Sequence, residues 1–197
     1  TDPWTSPALL KTSVNLSEGI SFYNSVYRSG KIYLVGNKLV EEDGTAKRYS
    51  VRLVRIPVEE LSSSSIKAST SSSKGFLDWF FGRNSHADPS GSRISYEKPA
   101  LAVNKNGDML FAYGRYPFSP ANSLNPQARY TYWFANEAKQ RPSHLLQEGT
   151  ALNSETIVSA LDYATAVVDP SNDLTFWMAV PYSVGTGYKT VIGKVVP

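Results

Sequence analysis

Apolar and polar residues alternate with period two along most of this chain, and helical periodicity is scarce. Stretches rich in β-branched and aromatic residues run from Ile20 to Tyr27, Lys31 to Val35, Tyr49 to Val58, Leu101 to Val103, Met109 to Tyr113, Arg129 to Ala135, Thr165 to Val168, Leu174 to Val180 and Lys189 to Val196. Each reads as a strand, so the expected fold class is all-β. Short polar turns separate successive strands at Arg28-Ser29-Gly30-Lys31, Asn104-Lys105-Asn106-Gly107-Asp108 and Asp169-Pro170-Ser171-Asn172-Asp173. Gly, Asn and Asp there supply the tight or left-handed backbone that hairpins need.

The three turns also belong to a larger repeat. Each follows a strand of small and apolar residues and precedes a bulkier aromatic one. With Tyr27, Val103 and Val168 taken as equivalent, the offsets are 76 and 65 residues. These exceed the roughly 40–50 residues of compact propeller blades, and the excess falls in loops. The first excess, residues 59–95, opens on a low-complexity stretch in which eight of the twelve residues from Ser62 to Ser73 are Ser. An aromatic knot, Phe76-Leu77-Asp78-Trp79-Phe80-Phe81, interrupts it. Packing on its own domain is one reading of the knot. A partner-docking anchor built on Phe76, Trp79, Phe80 and Phe81 is the other. The second excess, between Tyr116 and Gln127, carries Pro117, Pro120 and Pro126 and reads as a long surface loop.

The run Lys98-Pro99-Ala100-Leu101-Ala102-Val103-Asn104-Lys105-Asn106-Gly107-Asp108 is followed by Trp133, by Asp162-Tyr163-Ala164-Thr165-Ala166-Val167-Val168-Asp169-Pro170, by Thr175-Phe176-Trp177 and by Tyr188-Lys189-Thr190-Val191-Ile192-Gly193. Together these resemble the C-terminal blades of secreted, sialidase-like (BNR-related) β-propellers, over roughly residues 96–196. The Ser-x-Asp-x-Gly-x-Thr-Trp box of sialidases is missing, and neither their arginine triad nor their Tyr-Glu nucleophile pair can be placed. The resemblance therefore implies the fold and a secreted or cell-surface location, and not sialidase activity. Together with the internal repeat, which alone places the first blade, it implies a β-propeller fragment of about three antiparallel four-stranded blades within one partial domain over 1–197: a blade at 20–58, the excursion at 59–95, and blades at 96–150 and 160–197. A ring typically needs 4–8 blades, so the missing ones are expected from a second polypeptide, a precursor half or a second copy.

Composition narrows the chemistry. The chain of 197 residues is 41% hydrophobic with a formal net charge of +3. Residues 1–141 carry eighteen basic and twelve acidic groups, against two and five in 142–197. So mild a bias argues against a nucleic-acid partner. Cysteine is absent, which excludes disulfides, thiolate metal sites and a Cys nucleophile. No apolar run approaches the roughly 20 residues of a membrane span, and Thr1 to Pro7 lacks the pattern of a signal peptide. Because the chain starts at Thr1, it reads as a processed product or part of something larger.

Candidate catalytic groups are few. Glu97 and Asp162 each stand six residues before an equivalent position, Val103 and Val168. Both are therefore expected at the start of a channel-lining strand, where two acids could bind a cation, orient a sugar or act as an acid/base pair. The alternative is that they bond to backbone at a strand start. His86 and His144 lack partners at metal or triad spacing and read as surface residues. Asn104, Asn106 and Asp108 alternate like a calcium loop without its downstream Glu, so no cofactor is expected, with calcium the only candidate. The richest ligand-binding set is Arg115, Tyr116, Arg129 and Trp133 with Tyr163, where guanidinium groups interleave with rings that can stack on sugars. Alternation places Tyr130 and Tyr132 on the opposite face from Arg129 and Trp133, so half of the cluster reads instead as core between blades. The expected function is an extracytoplasmic module for protein assembly or glycan binding. A glycoside hydrolase or lyase with an active site shared with the missing blades is the rival reading, and a structural subunit is a third.

Overall fold

The computed structural model describes residues 14–15, 20–42, 46–58, 66–67, 77–81, 94–117, 125–138, 140–150, 164–185 and 187–197. Its strands are β1 (Val14–Asn15), β2 (Ile20–Arg28), β3 (Lys31–Glu42), β4 (Ala46–Pro57), β5 (Ile66–Lys67), β6 (Leu77–Phe81), β7 (Ile94–Val103), β8 (Met109–Pro117), β9 (Gln127–Trp133), β10 (His144–Gln147), β11 (Thr165–Val168), β12 (Phe176–Val184) and β13 (Gly187–Val195). They form three antiparallel sheets, β2-β3-β4-β6, β7-β8-β9-β10 and β11-β12-β13, beside a short parallel pair of β1 and β5. The fold is all-β, as expected. The third sheet has three strands among the described residues, where four were expected. No helix among the described residues is long and apolar enough to cross a membrane.

The sheets stack in chain order, and the first strand of each lies beside the first strand of the next. Because side chains alternate across a strand, the second sheet presents a different set to each neighbour. Leu101, Val103, Met109, Phe111, Tyr113 and Trp133 meet Tyr33, Val35, Val51 and Leu53 of the first sheet. Ala100, Ala102, Leu110, Ala112 and Ala128 meet Ala166, Phe176, Met178 and Val180 of the third. With large residues on one face and mostly small ones on the other, the second sheet is covered on both sides. The opposed facing of Trp133 and of Tyr130 and Tyr132 follows the same alternation.

Four strands were missed by the period-two reading: the short pair β1 and β5, and two strands of the larger sheets. Leu77–Phe81, inside the Ser-rich excursion, pairs antiparallel with β4, bringing Trp79 opposite Leu53, Phe80 opposite Arg52 and Phe81 opposite Val51. The outer edge of β4 carries backbone donors and acceptors that a further strand satisfies. Trp79, Phe80 and Phe81 therefore belong to a sheet strand, and the first sheet draws on residues beyond 58. Phe76 lies outside the described residues. The other is β10, which pairs His144 with Tyr130. The short stretch Leu101 to Val103 extends back to Ile94, because Pro99 sits in a bulge that interrupts pairing between Glu97 and Ala100 without ending the strand.

Candidate functional site

At the end of the second sheet where β7 begins, polar side chains are drawn inward. Register sets Tyr113 opposite Arg129 and Arg115 opposite Gln127, so all four project from one face. The guanidinium groups of Arg115 and Arg129 both donate to the side-chain oxygen of Gln127, at 2.7 and 2.8 Å. The Gln127 amide nitrogen in turn donates to Glu148 at 3.0 Å. Arg129 also donates from Nε to the Ser143 hydroxyl and from a terminal nitrogen to the Ser143 carbonyl. Tyr113 donates to the same hydroxyl at 2.6 Å, and burial pushes its phenol well above the usual range. Gln127 thus bridges two guanidinium groups to an exposed carboxylate.

Beside this network the first strands of two sheets carry matched irregularities. β2 is bulged between Phe22 and Asn24, and β7 between Glu97 and Ala100. Lys98 adopts φ +52° in the second bulge, a conformation that costs a residue with a Cβ and holds only where neighbours fix it. Asn37 fixes it from the first sheet. Its amide donates to the Tyr96 carbonyl at 2.7 Å and accepts from the Lys98 backbone NH at 2.8 Å. The Lys98 ammonium lies 5.0 Å from the centre of the Tyr23 ring, and Asn24 accepts from the Leu101 NH.

Of the residues singled out from sequence, Arg115 and Arg129 are brought together. Glu97 is buried on β7, opposite Gly114. Trp133 is not part of a ligand face: its ring packs in the core between the first two sheets, and its indole NH donates to the Glu137 carbonyl. The side chain of Tyr116, and the whole of Asp162 and Tyr163, lie outside the described residues. Gln127 and Ser143, which hold the arginines, were not identified from sequence. Alternation back from Arg129 points to Gln127, but nothing local marks Ser143, which arrives from a separate segment.

The opposite end of the sheets is built from the hairpin turns. Asn104 accepts from the NH groups of Asn106 and Asp108, while the Asp108 carboxylate accepts from Asn104 and from the Ala135 NH. Turn hydrogen bonds therefore occupy the side-chain oxygens of Asn104 and Asp108, and among the described residues no three His, Asp or Glu groups gather as a metal site. Asp169 accepts from the Ser171 hydroxyl, the Trp177 indole and the Ser171 NH, which together hold its carboxyl down to about 2. A cleft of about 790 Å³ opens between the second and third sheets at this end, lined in part by Asp108, Phe134, Glu137, Arg141 and Asn172. Arg141 lies over the Phe134 and Tyr132 rings and pairs with Glu137, whose carboxyl it holds below the usual range. His144 stacks on Tyr130 and Tyr132 at centroid distances of 5.2 and 5.6 Å. It is half-buried, where a surface position was expected.

The sequence matches no family model and no curated relative. Among solved structures the chain is similar to a Hadza microbial sialidase, with 11% identity and a TM-score of 0.51, over 90% of this chain and 34% of the sialidase. It is also similar to a mannose phosphorylase from Leishmania mexicana, with 12% identity and a TM-score of 0.45, over 94% of this chain and 46% of that one. The likeness to the sialidase is one of fold, and this chain spans about a third of that protein's length.

Proposed function

We propose that residues 1–197 are three consecutive blades of a sialidase-like β-propeller completed by other polypeptide, working outside the cytoplasm as a glycan-binding module. The observation that carries the binding reading is the convergence of Arg115 and Arg129 on Gln127, beside Ser143 and Glu148. Burying guanidinium charge costs several kcal/mol per ion before compensation. Arg115 is buried and Arg129 half-buried beside it, so the pair joins a fixed cation to one that reaches the surface. Planar guanidinium and amide groups are well suited to polyhydroxylated or acidic sugars. The incomplete-ring reading draws support from the 34% coverage of the similar sialidase.

The test is an array of neutral and acidic oligosaccharides probed with the intact protein. Saturable binding to a subset is expected, weakened at least tenfold by Arg129→Lys, which keeps the charge but loses the planar fork. Glu148→Gln should shift the balance between acidic and neutral glycans. Flat responses across the array would remove the glycan reading, and turnover of a bound glycan would replace it with the hydrolase reading. Isolation from its native source as a lone 21.7 kDa particle would remove ring completion.

A further inference from the structure

The hairpin turns give the three sheets a common frame. The pairs Tyr27 with Ile32, Val103 with Met109 and Val168 with Phe176 are equivalent in register. From that origin the same four lattice positions can be followed from sheet to sheet. In the first sheet they are Val26, Tyr33, Val35 and Leu53, which pack against the second sheet; Tyr33, Val35 and Leu53 are 3%, 0% and 0% exposed. In the second sheet they are Ala102, Leu110, Ala112 and Tyr130, packed against the third, with Ala102 at 3% and Leu110 and Ala112 at 0%. In the third sheet they are Val167, Trp177, Ala179 and Ile192, and here Val167 is 54%, Trp177 38% and Ile192 71% exposed. A position that is core twice is open the third time.

We infer that this face of the third sheet, centred on Val167, Trp177 and Ile192, is the seat of a further antiparallel sheet supplied by polypeptide outside residues 1–197. This rests on the incomplete-ring reading above and names its contact surface and the chemistry of its partner. Continuity with the two interfaces already formed is the reason. In both, the incoming sheet offers bulky apolar side chains at alternate positions of its second strand, starting directly after the hairpin turn: Met109, Phe111 and Tyr113 in one, Phe176, Met178 and Val180 in the other. The missing sheet is therefore one whose second strand carries the same alternation. The first sheet of another copy is a poorer match, because the equivalent positions of its second strand are Ile32, Leu34 and Gly36, with no side chain where Tyr113 and Val180 stand. Trp177 is capped meanwhile by the Lys194 ammonium, 5.1 Å from the ring centre, a flexible cation that can swing to the rim when a sheet arrives.

The experiment places p-benzoylphenylalanine in place of Ile192 in the full chain, made in its native cells and irradiated, with Leu145 as the control position. Crosslinks from position 192 are expected in a peptide foreign to residues 1–197 that shows alternating bulky apolar residues after a turn. Ile192→Asp should reduce the co-purified polypeptide at least tenfold while leaving the melting temperature of the isolated chain unchanged, since the side chain is exposed there. Crosslinks confined to this chain or to a second copy would overturn the inference, as would none at all in an assembly heavier than 21.7 kDa. A lone chain of that mass would instead overturn the ring reading on which the inference rests.

Discussion

Arg28, the last residue of β2, donates from its guanidinium to the carboxylate of Asp173, 145 residues further along the chain. The bond ties the hairpin turn of the first sheet to that of the third. The middle turn is clasped in the same place, with the Lys105 NH donating to the Asp173 carbonyl and its ammonium to that of Asn172. Three wedges that are separate in sequence are thereby fastened at one end, leaving their order around the stack unambiguous.

Partial exposure keeps this ion pair modest, with side chains 29% and 41% exposed, so Arg28→Ala should cost below about 1 kcal/mol. Asp173 also holds φ +55°, a backbone state that Asp tolerates and Ala resists by about 1 kcal/mol or more. Asp173→Ala should therefore destabilise more than Arg28→Ala, and Asp173→Asn should recover the difference. Urea midpoints of the three variants and of the double alanine variant measure this. Equal losses for the two single alanine variants would show that the left-handed backbone contributes nothing.

Gly36 stands where β3 passes close to β2. A Cβ there would stand 2.1 Å from the Ser21 carbonyl oxygen and 2.8 Å from the Phe22 Cα, both backbone atoms of the β2 bulge. Backbone cannot rotate away as a side chain can. Gly36→Ala is expected to lower stability by at least about 2 kcal/mol, whereas Gly30→Ala, with open space around it and φ +72°, should cost about 1 kcal/mol from backbone strain alone. Thermal unfolding of the two variants gives the comparison.

Asn37 can be tested by Asn37→Leu, which keeps the volume but removes three hydrogen bonds, to the Tyr96 carbonyl, the Ser50 carbonyl and the Lys98 NH. Unpartnered buried backbone groups cost about 1–3 kcal/mol each, so a loss of several kcal/mol is expected. Hydrogen exchange supplies the local readout: the Lys98 amide should exchange faster in the variant, while that of Leu101, held by Asn24, should change less. Equal acceleration at both would mean that the whole β7 edge opens together.

Asp169 sets an acid limit on its turn. Its carboxyl titrates at about 2 in the fold against an ordinary 3.8. A depressed folded value means the stabilisation is fully present above the unfolded value and is lost as pH falls from about 4 through about 2. The Trp177 indole NH resonance, which reports the bond to Asp169, should titrate with a midpoint near 2. A midpoint near 4 would show that the three donors do not act on the carboxylate.

Much of the fold is legible in the residues because a half-buried strand writes its period into the chain. Thr165–Val168 was expected with those bounds, and the three hairpins fall where Gly, Asn and Asp stand. β6 and β10 escaped for a physical reason: each is a short outer strand, whose register comes from the free edge beside it and not from its own alternation. The candidate site was half legible. Arg115 and Arg129 are recognisable by type and spacing, whereas Gln127 gains its role only by lying across the ladder from Arg115, and Ser143 only because its segment returns beside β9.

Strand periodicity and turn chemistry are local properties, carried by neighbours one to four residues apart, and the amino-acid order alone determined them, as it did the repeat at offsets of 76 and 65 residues. Which face of each strand becomes core is a property of the stack. Leu110 and Trp177 occupy equivalent places in equivalent strands, yet one is wholly buried and the other open to solvent, because a sheet follows the first and none among the described residues follows the second. Only the tertiary structure could decide that, since burial depends on what arrives from elsewhere in space.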